Sequence, residues 1–90
     1  PPVTFGSEAQ IRAGGALYTR YCATCHGVGA FSGGALQDLR YSAMTSSAGA
    51  FGSIVLDGVY LDKGMASFSE VLSAEDTEAV RAYIVMEANK

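Results

Sequence analysis

Apolar residues recur at helical spacing in three stretches of this 90-residue chain, and no stretch alternates convincingly in the manner of a half-buried strand. In the first, Ile11, Gly14, Leu17, Tyr18 and Tyr21 share a face. Ser7-Glu8-Ala9-Gln10 ahead of it has the capping-box form, a hydroxyl followed by Gln at the third helical position. Together they predict a helix from Glu8 to Tyr21. Gly14 and Gly15 each cost such a helix about 1 kcal/mol against alanine. Either one of them permits a close backbone crossing or the pair breaks the helix. A second helix is expected from about Ala48 to Asp57, capped by Ser46 or Ser47, with Phe51, Ile54 and Val55 on one face and Gly58 as its C′ residue. The third starts at Ser73-Ala74-Glu75-Asp76, where acidic side chains favour the positive end of the helix dipole. It places Val80, Tyr83, Ile84 and Glu87 on one side, with Lys90 near its end.

The intervening segments read as loops. Pro1-Pro2-Val3-Thr4 is an extended lead-in, because proline stiffens the chain and donates no hydrogen bond. Residues 1–6 are therefore expected to be a lead-in or linker, and residues 7–90 one domain. Gly27 to Gly34 is glycine-rich and lacks the spacing of a phosphate loop. Ala35 to Tyr41 reads as loop with a short turn, and Val59 to Phe68 as irregular chain around Gly64-Met65. The expected class is all-α, three main helices joined by long loops.

Composition narrows the picture. With 49% hydrophobic and 17% charged residues the chain is globular rather than disordered. No apolar run approaches the roughly 18–20 residues that span a bilayer, so no transmembrane segment is expected. The net charge of −3 and the lack of a basic stripe argue against a nucleic-acid partner. No signal peptide is visible; it has been removed, or the chain is a piece cut from a longer one. A domain this small usually needs a stabilising device beyond its own core.

Cys22-Ala23-Thr24-Cys25-His26 supplies one. Both cysteines and the single histidine of the chain fall in this C-x-x-C-H run, the attachment signature of a c-type haem. Two thiols at this spacing can add to the two vinyl groups of one porphyrin, and the adjacent imidazole falls under the iron. A thioredoxin-like dithiol requires a strand–helix context that is missing, and a structural zinc site requires four ligands. A Cys–His nucleophile is disfavoured because adjacent helical residues point in different directions. The expected cofactor is thus one covalent haem c on Cys22 and Cys25, with His26 as the proximal ligand. Its second ring nitrogen should donate to a carbonyl near Leu36–Gln37. For the sixth position the candidates are Met44, Met65, Met86, a lysine, water or nothing. Met86 falls mid-helix, where packing is the ordinary role of methionine. Met44 must round the haem edge from a loop. Met65 lies beyond a full helix, in irregular chain beside Gly64, and is the expected ligand. His/Met ligation leaves no open coordination site and raises the reduction potential, which suits one-electron transfer. In bacteria such attachment takes place outside the cytoplasm, so a periplasmic location is expected.

The chain resembles class I cytochromes c over nearly its whole length. Gly14 and Tyr18 ahead of Cys22 look like the glycine/aromatic pair that crosses the C-terminal helix in that family, and Val80 and Tyr83 like the matching pair on the other side. Within it, Gly15 to Tyr18, Cys25-His26-Gly27, Gly33 to Arg40, Ile54 to Gly58, Gly64 to Phe68 and Ala79 to Ile84 are similar to the cytochrome domain of quinohaemoprotein alcohol dehydrogenases. Those enzymes join a quinone-cofactor (PQQ) β-propeller to a C-terminal cytochrome domain. The resemblance implies the cytochrome c fold and a relay of electrons from a fused or separate PQQ dehydrogenase to a downstream acceptor. It implies that Arg40 and Tyr41 approach a haem propionate. It also implies that the domain is no enzyme by itself. Gln37 and Ala66 stand where the family commonly carries proline; the first predicts a less rigidly held carbonyl facing His26, the second a looser loop around Met65. A small apolar contact patch for a redox partner is expected around Val28, Ala30, Phe31 and Ala66. The competing roles are a free-standing periplasmic electron shuttle, a haem-based ligand sensor with a labile Met65, and a haem enzyme such as a peroxidase, the last disfavoured by the lack of a distal histidine.

Overall fold

A computed structural model of the chain describes residues 2–23, 43–58, 65 and 67–90. Among these residues the regular structure is helical: α1 Glu8–Tyr21, a 3₁₀ turn Ala43–Ser46, α2 Ala48–Val55 and α3 Ala74–Ala88. The all-α expectation is met. The starts of all three helices fall where the capping signals put them. Ser7 Oγ accepts from the Gln10 N–H at 3.0 Å, and Ser47 Oγ from the Ala50 N–H at 3.2 Å. Ser73 and Asp76 form a reciprocal capping box, with bonds of 3.0 and 3.1 Å. Each supplies an acceptor to N–H groups that the helix itself leaves unpaired. The second helix ends at Val55, short of the expected Asp57, and Gly58 takes the left-handed conformation at φ 71°.

The main packing event is the crossing of α1 and α3. Gly14 is buried at the crossing point, and a Cβ built there would collide with the Ala79 carbonyl. The glycine pair therefore does not break the helix; Gly14 lets two backbones touch. Next to it, the fully buried Tyr18 ring meets Tyr83 at 5.4 Å between centroids, tilted by 41°. Below the crossing, Tyr18, Phe51, Val55, Leu72, Val80 and Ile84 form one buried cluster to which all three helices contribute. Burying each such aliphatic or aromatic side chain is worth roughly 1.5–3 kcal/mol.

Arg81 ties the outer parts to α3. Its Nη1 donates to the Thr45 carbonyl at 2.9 Å, its Nε to Glu78 at 2.9 Å, and its guanidinium stacks on Phe5 at 4.2 Å. The 3₁₀ turn and the lead-in thus dock on the same helix. Asn89 Nδ2 adds a bond to the Pro2 carbonyl at 2.7 Å. At the end of α3, the buried Glu87 carboxylate accepts from Lys90 Nζ at 2.9 Å and lies near the Tyr83 phenol. Burial, then the Glu87 charge, pushes the Tyr83 phenol above its ordinary value of 10.0. The hydrogen bond to Glu87, and then its charge, raise Lys90 above 10.5.

Two predictions follow from the crossing. Gly14→Ala should destabilise the fold by about 3 kcal/mol or more, because the helices must move apart to admit the methyl group. Gly15→Ala, whose Cβ meets only the Tyr83 ring edge at 3.0 Å, should stay within about 1 kcal/mol of the parent, since gained helix propensity offsets a ring shift. Urea unfolding of the two variants checks the contrast, and equal losses would refute it. The second prediction concerns pH. Both Tyr83 and Lys90 hold their protons more tightly folded than unfolded, so the folded state binds more protons in alkaline solution. Stability is then intact below the unfolded pKa values and falls as pH rises past about 10. Urea midpoints from neutral pH to pH 11 should decline there, and less steeply in Tyr83→Phe.

Candidate functional site

Cys22 is the C-cap of α1, one turn beyond the crossing aromatic. Its N–H donates to the Tyr18 carbonyl at 2.8 Å, so its position follows from that of the buried ring. The thiol-bearing residue is half-buried and packs, with Ala23, against the cluster of Tyr18, Phe51, Val55, Leu72, Val80 and Ile84. Met65 is brought to the same cluster from the far side of α2, and is also half-buried. The two residues are remote in sequence, and the fold places both on one apolar core.

The segment after Met65 is held by the end of α2. A helix leaves its last carbonyls without intrahelical donors. Ser67 Oγ donates to the Leu56 carbonyl at 2.6 Å, and the Phe68 N–H donates to the Val55 carbonyl at 2.8 Å. Phe68 then turns its ring against Tyr21, the residue before Cys22, at 6.2 Å between centroids and 59° between planes. The stretch from Ser67 to Phe68 is thus anchored on two helices, while the Met65 loop at 59–64 and Ala66, where a looser course is expected, lie outside the described residues. Sequence reading did not identify Ser67 or Phe68 as anchors. A serine following a candidate ligand is a weak signal, since its partner is a backbone carbonyl that any residue could offer.

Met86 is placed elsewhere. It lines a surface groove between α1 and α3, beside Ile11, Ala16 and Thr19. Met44 belongs to the 3₁₀ turn Ala43–Ser46. Cys25, His26, Arg40 and Tyr41 lie outside the described residues, as do the glycine-rich loop, the carbonyl expected near Leu36–Gln37, and the patch residues Val28, Ala30, Phe31 and Ala66.

The residues that are described suit a haem. Cys22 offers a thiol for a thioether bond and Met65 a soft sulfur donor for iron. The other half-buried side chains on the cluster, Leu17, Tyr21, Ala23, Leu56, Phe68 and Tyr83, are apolar apart from two phenols. No helix among the described residues is long and apolar enough to cross a membrane.

Comparison with known proteins agrees with this chemistry. Residues 9–84 match the family model described as cytochrome c oxidase, cbb3-type, subunit III. Among curated proteins, the chain is 40% identical over 84 residues to the quinohemoprotein alcohol dehydrogenase ADH IIB of Pseudomonas putida, an alignment covering 93% of this chain and 12% of that protein. It is 36% identical over 89 residues to the dehydrogenase subunit of the alcohol dehydrogenase (quinone) of Gluconobacter oxydans, covering 99% of this chain and 12% of the relative. It is 33% identical over 76 residues to the 1-butanol dehydrogenase (cytochrome c) of Thauera butanivorans, covering 83% and 11%. The chain spans about an eighth of the length of the first two relatives.

Proposed function

From the premise that the chain belongs to the cytochrome c family represented by subunit III of cbb3-type oxidases, we propose that it is a His/Met-ligated relay of single electrons. Membership implies electron transfer through a covalently held haem c. In our reading Cys22 and Cys25 carry the thioether bonds, and His26 and Met65 are the axial ligands. Arg40 and Tyr41 would approach a haem propionate. In the same reading residues 1–6 are a lead-in or linker and residues 7–90 the cytochrome domain. A haem bound in this way supplies one-electron exchange between ferric and ferrous iron, at a potential raised by the methionine sulfur. The chain's own contribution is to hold those ligands in place and to surround them with apolar side chains.

The observation that supports this reading best is the convergence of Cys22 and Met65 on one buried cluster, beneath a helix crossing made by Gly14, Tyr18, Val80 and Tyr83. We take the donor to be a PQQ-dependent dehydrogenase domain, fused or separate, because the relatives named above are quinone-dependent alcohol dehydrogenases of which this chain matches a short part. Substrate oxidation would belong to that larger part. Delivery to a downstream acceptor in the periplasm completes the proposal.

Met65→Ala tests the axial pair. It should lower the midpoint potential by on the order of 0.1 V or more, because axial ligands tune haem potentials over about 0.8 V. Carbon monoxide should then bind the reduced protein readily. An unchanged spectrum and potential would remove Met65 from the site and point to Met44. Replacing Cys22 and Cys25 together by alanine should leave a poorly folded chain without haem, because the group makes up a large share of so small a core. Circular dichroism of the double variant provides the check; a well-packed, haem-free protein would contradict the expectation.

A further inference from the structure

We infer that Ser67 is a positioning residue for Met65, holding the ligand loop on the C-terminal end of α2 so that the sulfur stays on iron. The inference rests on the proposed Met65 ligation and deepens it. Three contacts converge just downstream of Met65. The Ser67 hydroxyl donates to the Leu56 carbonyl at 2.6 Å, the shortest of them, and accepts from the Ser69 N–H at 3.4 Å. The Phe68 N–H donates to the Val55 carbonyl at 2.8 Å, on a residue that is itself buried in the core. The Phe68 carbonyl then accepts from the N–H groups of Val71 and Leu72 at 3.0 and 2.8 Å, which fixes the turn leading to α3.

Chain geometry converts this anchor into a restraint on the ligand. Consecutive residues extend at most about 3.6 Å each, so Met65 Cα cannot lie farther than about 7 Å from Ser67 Cα. With Ser67 tied to α2, the Met65 backbone is confined to a small volume against the cluster. The restraint uses Leu56 and Val55 carbonyls that α2 cannot satisfy internally, so its donors meet acceptors that are already in place. Of the two donors only the Ser67 hydroxyl belongs to a side chain. It is therefore the one that substitution can remove.

The experiment uses the haem-loaded protein and four forms: parent, Ser67→Ala, Ser67→Thr and Met65→Ala. The readouts are the rate at which carbon monoxide binds the reduced protein, the midpoint potential and the thermal midpoint. Loss of one hydrogen bond releases the loop by an amount that corresponds to a roughly three- to tenfold larger fraction of open site. Ser67→Ala should accordingly bind carbon monoxide about three to ten times faster than the parent and show a lower potential. Ser67→Thr, which keeps the hydroxyl, should restore parent behaviour. If Ser67→Ala lowers the thermal midpoint while leaving the binding rate and potential at parent values, the hydroxyl is merely structural and the inference fails. If Met65→Ala binds carbon monoxide quickly while Ser67→Ala behaves as the parent, Met65 ligation stands and the positioning role falls. If Met65→Ala itself changes neither rate nor potential, the ligand assignment falls and the inference with it.

Discussion

The contact between the Gly14 position of α1 and the Ala79–Val80 backbone of α3 is the constraint on which the rest depends. Two helices can approach this closely only where one lacks a side chain. Once they touch, Tyr18 is driven against Tyr83, and Val80 and Ile84 are aimed into the core. The end of α1 is then determined, and Cys22 with it, through the bond from its N–H to the Tyr18 carbonyl. The proposed attachment point for the haem is therefore set by a helix crossing one to two turns upstream.

The second half of the site is built differently. Met65 sits in no helix, and the described chain resumes just after it at Ser67. Ser67 and Phe68 supply donors to the open end of α2, and the Phe68 ring reaches Tyr21 beside Cys22. One end of the site thus rests on a rigid crossing. The other rests on hydrogen bonds to a short helix that carries two glycines of its own, Gly49 and Gly52. Such a division suits the proposed site, in which His26 would be fixed by covalent attachment next door and Met65 would have to be held from the protein side.

Much of this was legible beforehand, in unequal measure. Helix starts were read correctly at Ser7, Ser47 and Ser73, because a cap is a local pattern of a hydroxyl and the N–H groups that follow within one turn. The core faces of α1 and α3 were legible from spacing, since Tyr18, Val80 and Ile84 recur with the helical period. The end of α2 was read too far along, at Asp57 instead of Val55, because what happens there is decided by Ser67 and Phe68 from the following loop. The 3₁₀ turn at Ala43–Ser46 and its bond to Arg81 went unread, since an arginine on a helix face gives no hint that its partner is a carbonyl 36 positions away.

The sequence by itself carried the expected chemistry: Cys22-Ala23-Thr24-Cys25-His26 is the attachment signature of a c-type haem, and helical periodicity names the class of fold. These are short-range properties, carried by residues within a few positions of one another. Tertiary structure alone decided that Gly14 is a contact point and not a break, that Met86 lines the α1–α3 groove while Met65 joins Cys22 on the core, and that the Ser67 hydroxyl meets the Leu56 carbonyl at the end of α2. Each of those outcomes depends on which backbone groups and faces are left open once the helices have assembled, and that information exists only in the assembled chain.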